Sequence, residues 1–291
     1  MWLLVMLVLV GSPWARHVTV APAESVWVEV AGQGDAVVLV PGLAGSAFTY
    51  RHVVSRLHTG GYRTVVIEPL GIGRSSRPGG ADYSLTAQSD RIAAVLDTLG
   101  ELGVVLVAHS VSASMALRLA YRRPDLVRAV VMLDGGAVES AATPGVRRAL
   151  RFAPLLRLFC GRRLMRNELA SALRESSGDP SWVTDSVIDG YAGAIVADPG
   201  RALKAFAAMA RAKEPLPLAD NLHLIQMPVL LIHGDAPGKQ TGIQQPEIEA
   251  LRSRLPQLTV ETLAGVGHYV HEERPEAVAA AIERIARAAV R

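Results

Sequence analysis

The sequence predicts an α/β fold, a mostly parallel sheet with helices on both faces and one inserted helical cap. Three observations carry this. Short apolar, β-branched runs alternate with amphipathic stretches along most of the chain, which is the pattern of a parallel sheet covered on both sides. One of these runs, Val104 to Val107, passes into a helix-forming stretch across the short turn Ala108-His109-Ser110-Val111-Ser112. The alternation breaks between residues 138 and 226, where no convincing strand occurs.

Ser25 to Val30 reads as a strand and Ala36 to Val40 as a buried one. Ser46 to His58 is helical, with Phe48, His52 and Leu57 at helical spacing, and Gly60-Gly61 stops it. Arg63 to Ile67 is a strand, followed over 68–83 by a loop rich in Gly, Ser and Pro. Ser84 caps a helix that runs to Leu99. The helix after Ser110 ends before Pro124, and Leu126 to Leu133 is the next strand. Helical stretches rich in Ala, Leu and Arg then follow, divided by Pro154, Gly178-Asp179-Pro180, Pro199 and Pro215-Leu216-Pro217. The alternation resumes with strand Pro228 to His233, helix 246–254, strand 258–263 and a last helix 275–290. The expected units are a core of residues 24–137 and 227–291, a cap of 138–226, and an N-terminal segment of 1–23. Such a cap is expected over the C-terminal edge of the sheet, where open α/β sheets hold their ligands.

At 291 residues, half of them hydrophobic and a fifth charged, the chain can bury one large core. The net charge of +3 is not gathered into aromatic-interleaved basic patches, which argues against nucleic acid as a partner. Cys160 is the only cysteine, so no internal disulfide framework or thiolate metal cluster is available. No His-Glu-x-x-His spacing occurs, and Gly71-Ile72-Gly73 does not link a strand directly to a helix. Neither a metal nor a cofactor is expected, and the oligomeric state is open.

Trp2 to Val10 is a continuous apolar run, followed by Gly11, Ser12, Pro13 and a small-x-small site at Ala21-Pro22-Ala23. This resembles a secretory signal or a tether, because the run is shorter than the roughly 20 residues that span a bilayer. The expected location is exported or membrane-associated. The plain alternative is a cytoplasmic protein with a misplaced start or an apolar arm. Arg147, Arg148, Arg151, Arg157, Arg162, Arg163 and Arg166 interleave with leucines and phenylalanines, the pattern of a membrane-surface element or of a solvated lid.

Ser110 sits where a strand-to-helix turn would hold a hydroxyl out at the top of the sheet. Such a turn needs small residues two before and two after the serine, here Ala108 and Ser112. A serine hydroxyl is a weak nucleophile, so it needs a base, an acid to orient that base, and backbone N–H groups for the developing oxyanion. The base candidate is His268, after the last strand and a Gly265-Val266-Gly267 turn; His271 beyond it could cap the final helix. His109 is expected to pack under the turn, and His233 to be structural. Asp134 and Asp235 each end a core strand and precede His268, so either could be the acid; either could equally close a turn. The N–H groups of Leu43 and Val111 are the oxyanion candidates.

Together these segments resemble the α/β-hydrolase fold superfamily of lipases, esterases and peptidases, from about residue 25 to the end. The resemblance rests on residues 40–46 (Val-Pro-Gly-Leu-Ala-Gly-Ser) with Tyr50-Arg51-His52, residues 68–75, Ala108 to Ser112, and Gly267-His268 through Pro275. It implies a Ser–His–acid triad, no cofactor, and a helical cap shaping the pocket. The family usually has His-Gly at Pro41-Gly42 and Asp at Glu68. Its acid commonly lies three residues after Gly234, which here is Pro237; some members carry it after the preceding strand, where Asp134 stands, so the resemblance makes Asp134 the expected acid and Asp235 the alternative. The expected activity is hydrolysis of apolar or lipid-like carboxylic esters, a small-molecule substrate. The rivals are amide or C–C hydrolysis, cofactor-free perhydrolysis, and a non-catalytic binding scaffold.

Overall fold

The computed structural model describes residues 13–141, 161–237 and 242–289. The apolar run Trp2 to Val10 and the arginines from Arg147 to Arg157 lie outside them. Among the described residues eight strands form one sheet: β1 (Trp14–Ala21), β2 (Glu24–Ala31), β3 (Ala36–Val40), β4 (Arg63–Glu68), β5 (Val104–His109), β6 (Val127–Leu133), β7 (Val229–Gly234) and β8 (Leu258–Leu263). Their order is β1-β2-β4-β3-β5-β6-β7-β8. β1 and β2 pair antiparallel, as do β2 and β4, and every other pair is parallel. The α/β prediction therefore holds.

The helices of the described residues are α1 (Arg51–Thr59), α2 (Leu85–Leu99), α3 (Ser112–Arg122), α4 (Arg162–Glu175), α5 (Asp185–Ala197), α6 (Pro199–Arg211), α7 (Gln245–Arg252), α8 (Val270–Glu273) and α9 (Pro275–Ala288). The period-two alternation of strand side chains divides the core between two faces. Val38, Val40, Leu106, Val130 and Met132 pack with α2 and α3 residues such as Leu96 and Leu119. Val37, Leu39, Val105, Val107 and Val131 pack on the other face with Val53 of α1 and Ile282 of α9.

One boundary differs from expectation. The sheet begins at Trp14, inside the segment that the sequence assigns to residues 1–23. β1 pairs with β2 from Trp14 opposite Val30 to Ala21 opposite Glu24. Cleavage after Ala23 would strip this strand away and leave β2 as a bare edge. Among the described residues no helix is long and apolar enough to cross a membrane.

The described part of the insertion is helical, as expected, with its own small core of Ala170, Leu173, Val187, Ile188 and Tyr191. Its two ends meet at the fully buried Arg118 of α3. Arg118 donates to Glu139 at the start of the insertion (2.6 Å) and lies 3.3 Å from Glu214 near its end. Glu139 also accepts the Leu218 N–H (2.7 Å), while Glu214 accepts the N–H groups of Leu85 and Thr86. One guanidinium therefore fastens both stems to the helix that follows Ser110. Arg118→Ala should cost about 3–5 kcal/mol of stability, because it removes the cation from between Glu139 and Glu214 and leaves Glu214 only its hydrogen bonds to Leu85 and Thr86. A lowered midpoint in urea denaturation is the measurement.

Candidate active site

The sheet order changes direction between β4-β3 and β3-β5, so the loops after β3 and β5 diverge there and leave a crevice at their C-terminal ends. Ser110 lies in that crevice, between β5 and α3. Its φ is +57°, a left-handed conformation that is uncommon for a residue with a Cβ. The turn leaves no spare room. A Cβ on Gly135 would overlap the Ser110 carbonyl, and one on Gly42 would lie 3.0 Å from Ser110 Cβ. Ala108 and Ser112 are fully buried. The Ser112 hydroxyl donates to the Pro41 carbonyl at 2.7 Å, so serine fits where glycine is usual and ties the turn to the neighbouring loop.

His268 stands between β8 and α8 with its ring facing the serine. Its Nε2 is 3.1 Å from Ser110 Oγ, and its Nδ1 is 2.6 Å from Asp134 Oδ2. A carboxylate can only accept, so Nδ1 carries a proton toward Asp134, and the Nε2 lone pair is left for the Ser110 hydroxyl. Asp134 is fully buried at the end of β6, also at positive φ (+47°), and its N–H donates to Ile232 O at 2.8 Å. Asp235 is not part of this group. It is exposed after β7, where its carboxylate accepts the Gly265 N–H at 2.7 Å and closes the turn that leads to His268.

Leu43 and Val111 line two cavities that flank Ser110, and among the described residues no hydrogen bond engages either backbone N–H. The loop bearing Leu43 is braced from below. Tyr50 donates its hydroxyl to Val40 O at 2.9 Å, and the fully buried Glu68 accepts the Ala47 N–H at 2.8 Å while pairing with Arg74. Glu68 thus fills a bracing position with a longer side chain than the aspartate usual there.

The first cavity, 180 Å³, reaches from Val111, Asp134 and Gly135 to Ile243. The second, 170 Å³, lies between residues 42–45, His268, Ala172, Ser176, Tyr191 and Tyr269. A larger cleft of 620 Å³ between Glu29, Phe48, Arg74 and Ala194 reaches neither Ser110 nor His268. Ser110, Asp134 and His268 therefore border the smaller spaces. Burial, and then the charge of Glu272, pushes the Tyr191 hydroxyl well above its ordinary pKa, so it stays protonated and donates to Glu272 Oε1 at 2.8 Å.

His109 packs beneath the site as expected, and its Nε2 lies 3.2 Å from the His268 carbonyl. His271 does not cap the final helix. It is fully buried, with its ring between those of Tyr50 and His109. Burial, then the charges of His268 and Arg51, push its pKa down to about 3, so the imidazole behind the site stays neutral. Sequence reasoning also missed Gly242, since nothing near it in the chain marks the site.

The sequence pattern of the alpha/beta hydrolase family matches residues 37–281, most of the chain. The chain belongs to the alpha/beta hydrolase family. Within it, the chain is 27% identical over 255 residues to a 2-(acetamidomethylene)succinate hydrolase of Mesorhizobium japonicum, covering 86% of this chain and 87% of that one. It is 25% identical to an sn-1-specific diacylglycerol lipase of Mus musculus, over 83% of this chain and 77% of the lipase. A solved structure of an aryl esterase described as putative, from Burkholderia cenocepacia, superposes with a TM-score of 0.78 at 20% identity, over 95% and 99% of the two chains. That likeness is one of fold.

Gly242 (φ +82°) packs against the pair behind the serine. A Cβ there would overlap Asp134 Oδ2 and come within 2.8 Å of His268 Nδ1. Gly242→Ala should therefore break the His268–Asp134 hydrogen bond. In proton NMR the downfield resonance of the Nδ1 proton would disappear, and its persistence would show that the loop yields instead.

Proposed function

We propose that this alpha/beta hydrolase cleaves carboxylic esters with Ser110 as nucleophile, His268 as general base and Asp134 as its orienting acid. One observation carries the reading. A single hydrogen-bonded line runs from Asp134 through both nitrogens of His268 to a serine on a strained strand-to-helix turn. In this reading Ser110 Oγ attacks the ester carbonyl as its proton passes to His268 Nε2. Asp134 stabilises the imidazolium that forms, and the N–H groups of Leu43 and Val111 receive the oxyanion. Collapse expels the alcohol, which takes the proton from His268. Water, activated by the same histidine, then frees the acid and restores Ser110.

The insertion acts as the cap in this scheme, because Ala172, Ser176 and Tyr191 close one side of the space beside Ser110. Tyr191 and Tyr269 give that space aromatic walls, which supports an apolar ester as substrate. Amide cleavage on the same three residues is the second reading. It draws on the relative named a 2-(acetamidomethylene)succinate hydrolase, and a nitroanilide offered beside the matching nitrophenyl ester distinguishes the two.

A fluorophosphonate probe should label the wild-type protein and leave Ser110→Ala unlabelled. Equal labelling of both would exclude Ser110 as nucleophile, and no labelling of either would favour a binding scaffold. Asp134→Asn should lower kcat by about 10⁴, because the histidine tautomer is then wrong, while Asp235→Asn stays within about tenfold of wild type. The reverse ranking would transfer the acid role to Asp235.

We further propose that the run Trp2 to Val10 holds the protein at a membrane surface, supported by the exposed Arg162 and Arg163 of α4. Full-length protein should co-float with anionic liposomes and a chain lacking residues 1–12 should not. That truncation leaves β1 in place, so loss of flotation reports on the apolar run rather than on unfolding.

A further inference from the structure

We propose that Glu273 is a positioning residue whose carboxylate locks the His268 turn to the helical insertion, so that the Ser110–His268–Asp134 line assembles only with the insertion seated. This rests on the hydrolase reading above. Glu273 Oε1 accepts the Gly267 N–H (2.9 Å), next to His268, and the Gly178 N–H (3.2 Å) from the insertion. Its Oε2 accepts the N–H groups of Gly178 (3.1 Å) and Asp179 (2.9 Å). The His268 N–H in turn donates to the Ser176 carbonyl at 2.7 Å. One carboxylate and one backbone bond thus join residues 176–179 to Gly267 and His268.

The two loops touch backbone to backbone. A Cβ on Gly267 would lie 2.6 Å from Gly178 N, and one on Gly178 would overlap the Gly265 carbonyl. His268 is consequently held through its ring by Asp134, through its carbonyl by His109, and through its N–H by the insertion. Its Nε2 sits 3.1 Å from Ser110 Oγ, near the long end of a hydrogen bond, so little slack remains. Lifting the insertion breaks the His268–Ser176 bond and the Glu273 bonds to Gly178 and Asp179 together, and leaves the Glu273 carboxylate with Gly267 alone. Glu273 lines neither cavity beside Ser110, so its removal should act on the reaction step rather than on substrate binding.

The test uses the full chain and a short nitrophenyl ester. Glu273→Ala should lower kcat by about 10–100-fold, the scale of a misplaced catalytic group, with KM within about twofold of wild type. Glu273→Gln, which keeps one acceptor oxygen, should recover part of the loss. Gly178→Ala pushes on the same junction from the insertion side and should give a similar loss, and the double variant should be no worse than either single one. Unchanged kcat in Glu273→Ala, a rise in KM alone, or losses that multiply in the double variant would each overturn the coupling. The His268 Nδ1 proton resonance gives a readout without turnover, and it should broaden or vanish in Glu273→Ala. If fluorophosphonate fails to label the wild type, the hydrolase reading falls while this resonance still decides the coupling.

Discussion

The left-handed backbone of Ser110 is the constraint around which the rest of the molecule is arranged. Holding a residue with a Cβ at positive φ costs on the order of 1–3 kcal/mol, and it persists only where surrounding structure leaves no alternative. Here the surroundings are specific. The Ser110 N–H donates to Leu133 O across to β6, and Gly135 packs against its carbonyl with no room for a methyl group. Ser112 anchors the start of α3 to Pro41, and Gly42 lies against Ser110 from the β3 side. The strands on either side of β5 thus contribute the atoms that hold the turn. The small residues around the serine are consequences of that geometry, and Ser112 shows that glycine is not required where a hydroxyl has an acceptor.

Once the serine is held out of the sheet, electrostatics determines what must stand behind it. A fully buried carboxylate is costly without partners, and Asp134 meets this with the Nδ1–H of His268. The neutral His271 keeps a second positive charge away from the region behind the site. Glu272 directs its charge to Arg51 and Tyr191, so two adjacent carboxylates after His268 perform separate tasks. Glu272 holds α5 of the insertion to α1 of the core, and Glu273 holds the loop after α4.

The parallel strands, the helices around them and the Ser110 turn were legible in the sequence because their signals are local: β-branched runs, a capping Ser84, stops at Gly60-Gly61. β1 was not. Only Val18 in it is buried, and the strand belongs to the sheet through backbone pairing with β2 rather than through an apolar pattern. His271 was misplaced for a related reason, since no local signal tells that a loop will carry a histidine beneath Tyr50. Gly242 and Glu273 act on partners distant in the chain, and a single sequence gives no measure of that proximity.

Which aspartate meets His268 is not legible in chain order, and strand order supplies the physical reason that it is Asp134. Both Asp134 and Asp235 follow core strands and precede His268, so chain order cannot separate them. In the sheet, however, β6 lies directly beside β5, while β7 is one strand further out, a step of about 4.8 Å. Asp134 turns back at positive φ toward the histidine, and the glycine at 242 gives its carboxylate room. Asp235, one strand further out, instead fixes the Gly265 turn from which the histidine loop departs. With the partner of His268 on β6, the end of β7 is left free to shape the loop that carries the histidine. The two aspartates are alternatives in sequence and complementary in space.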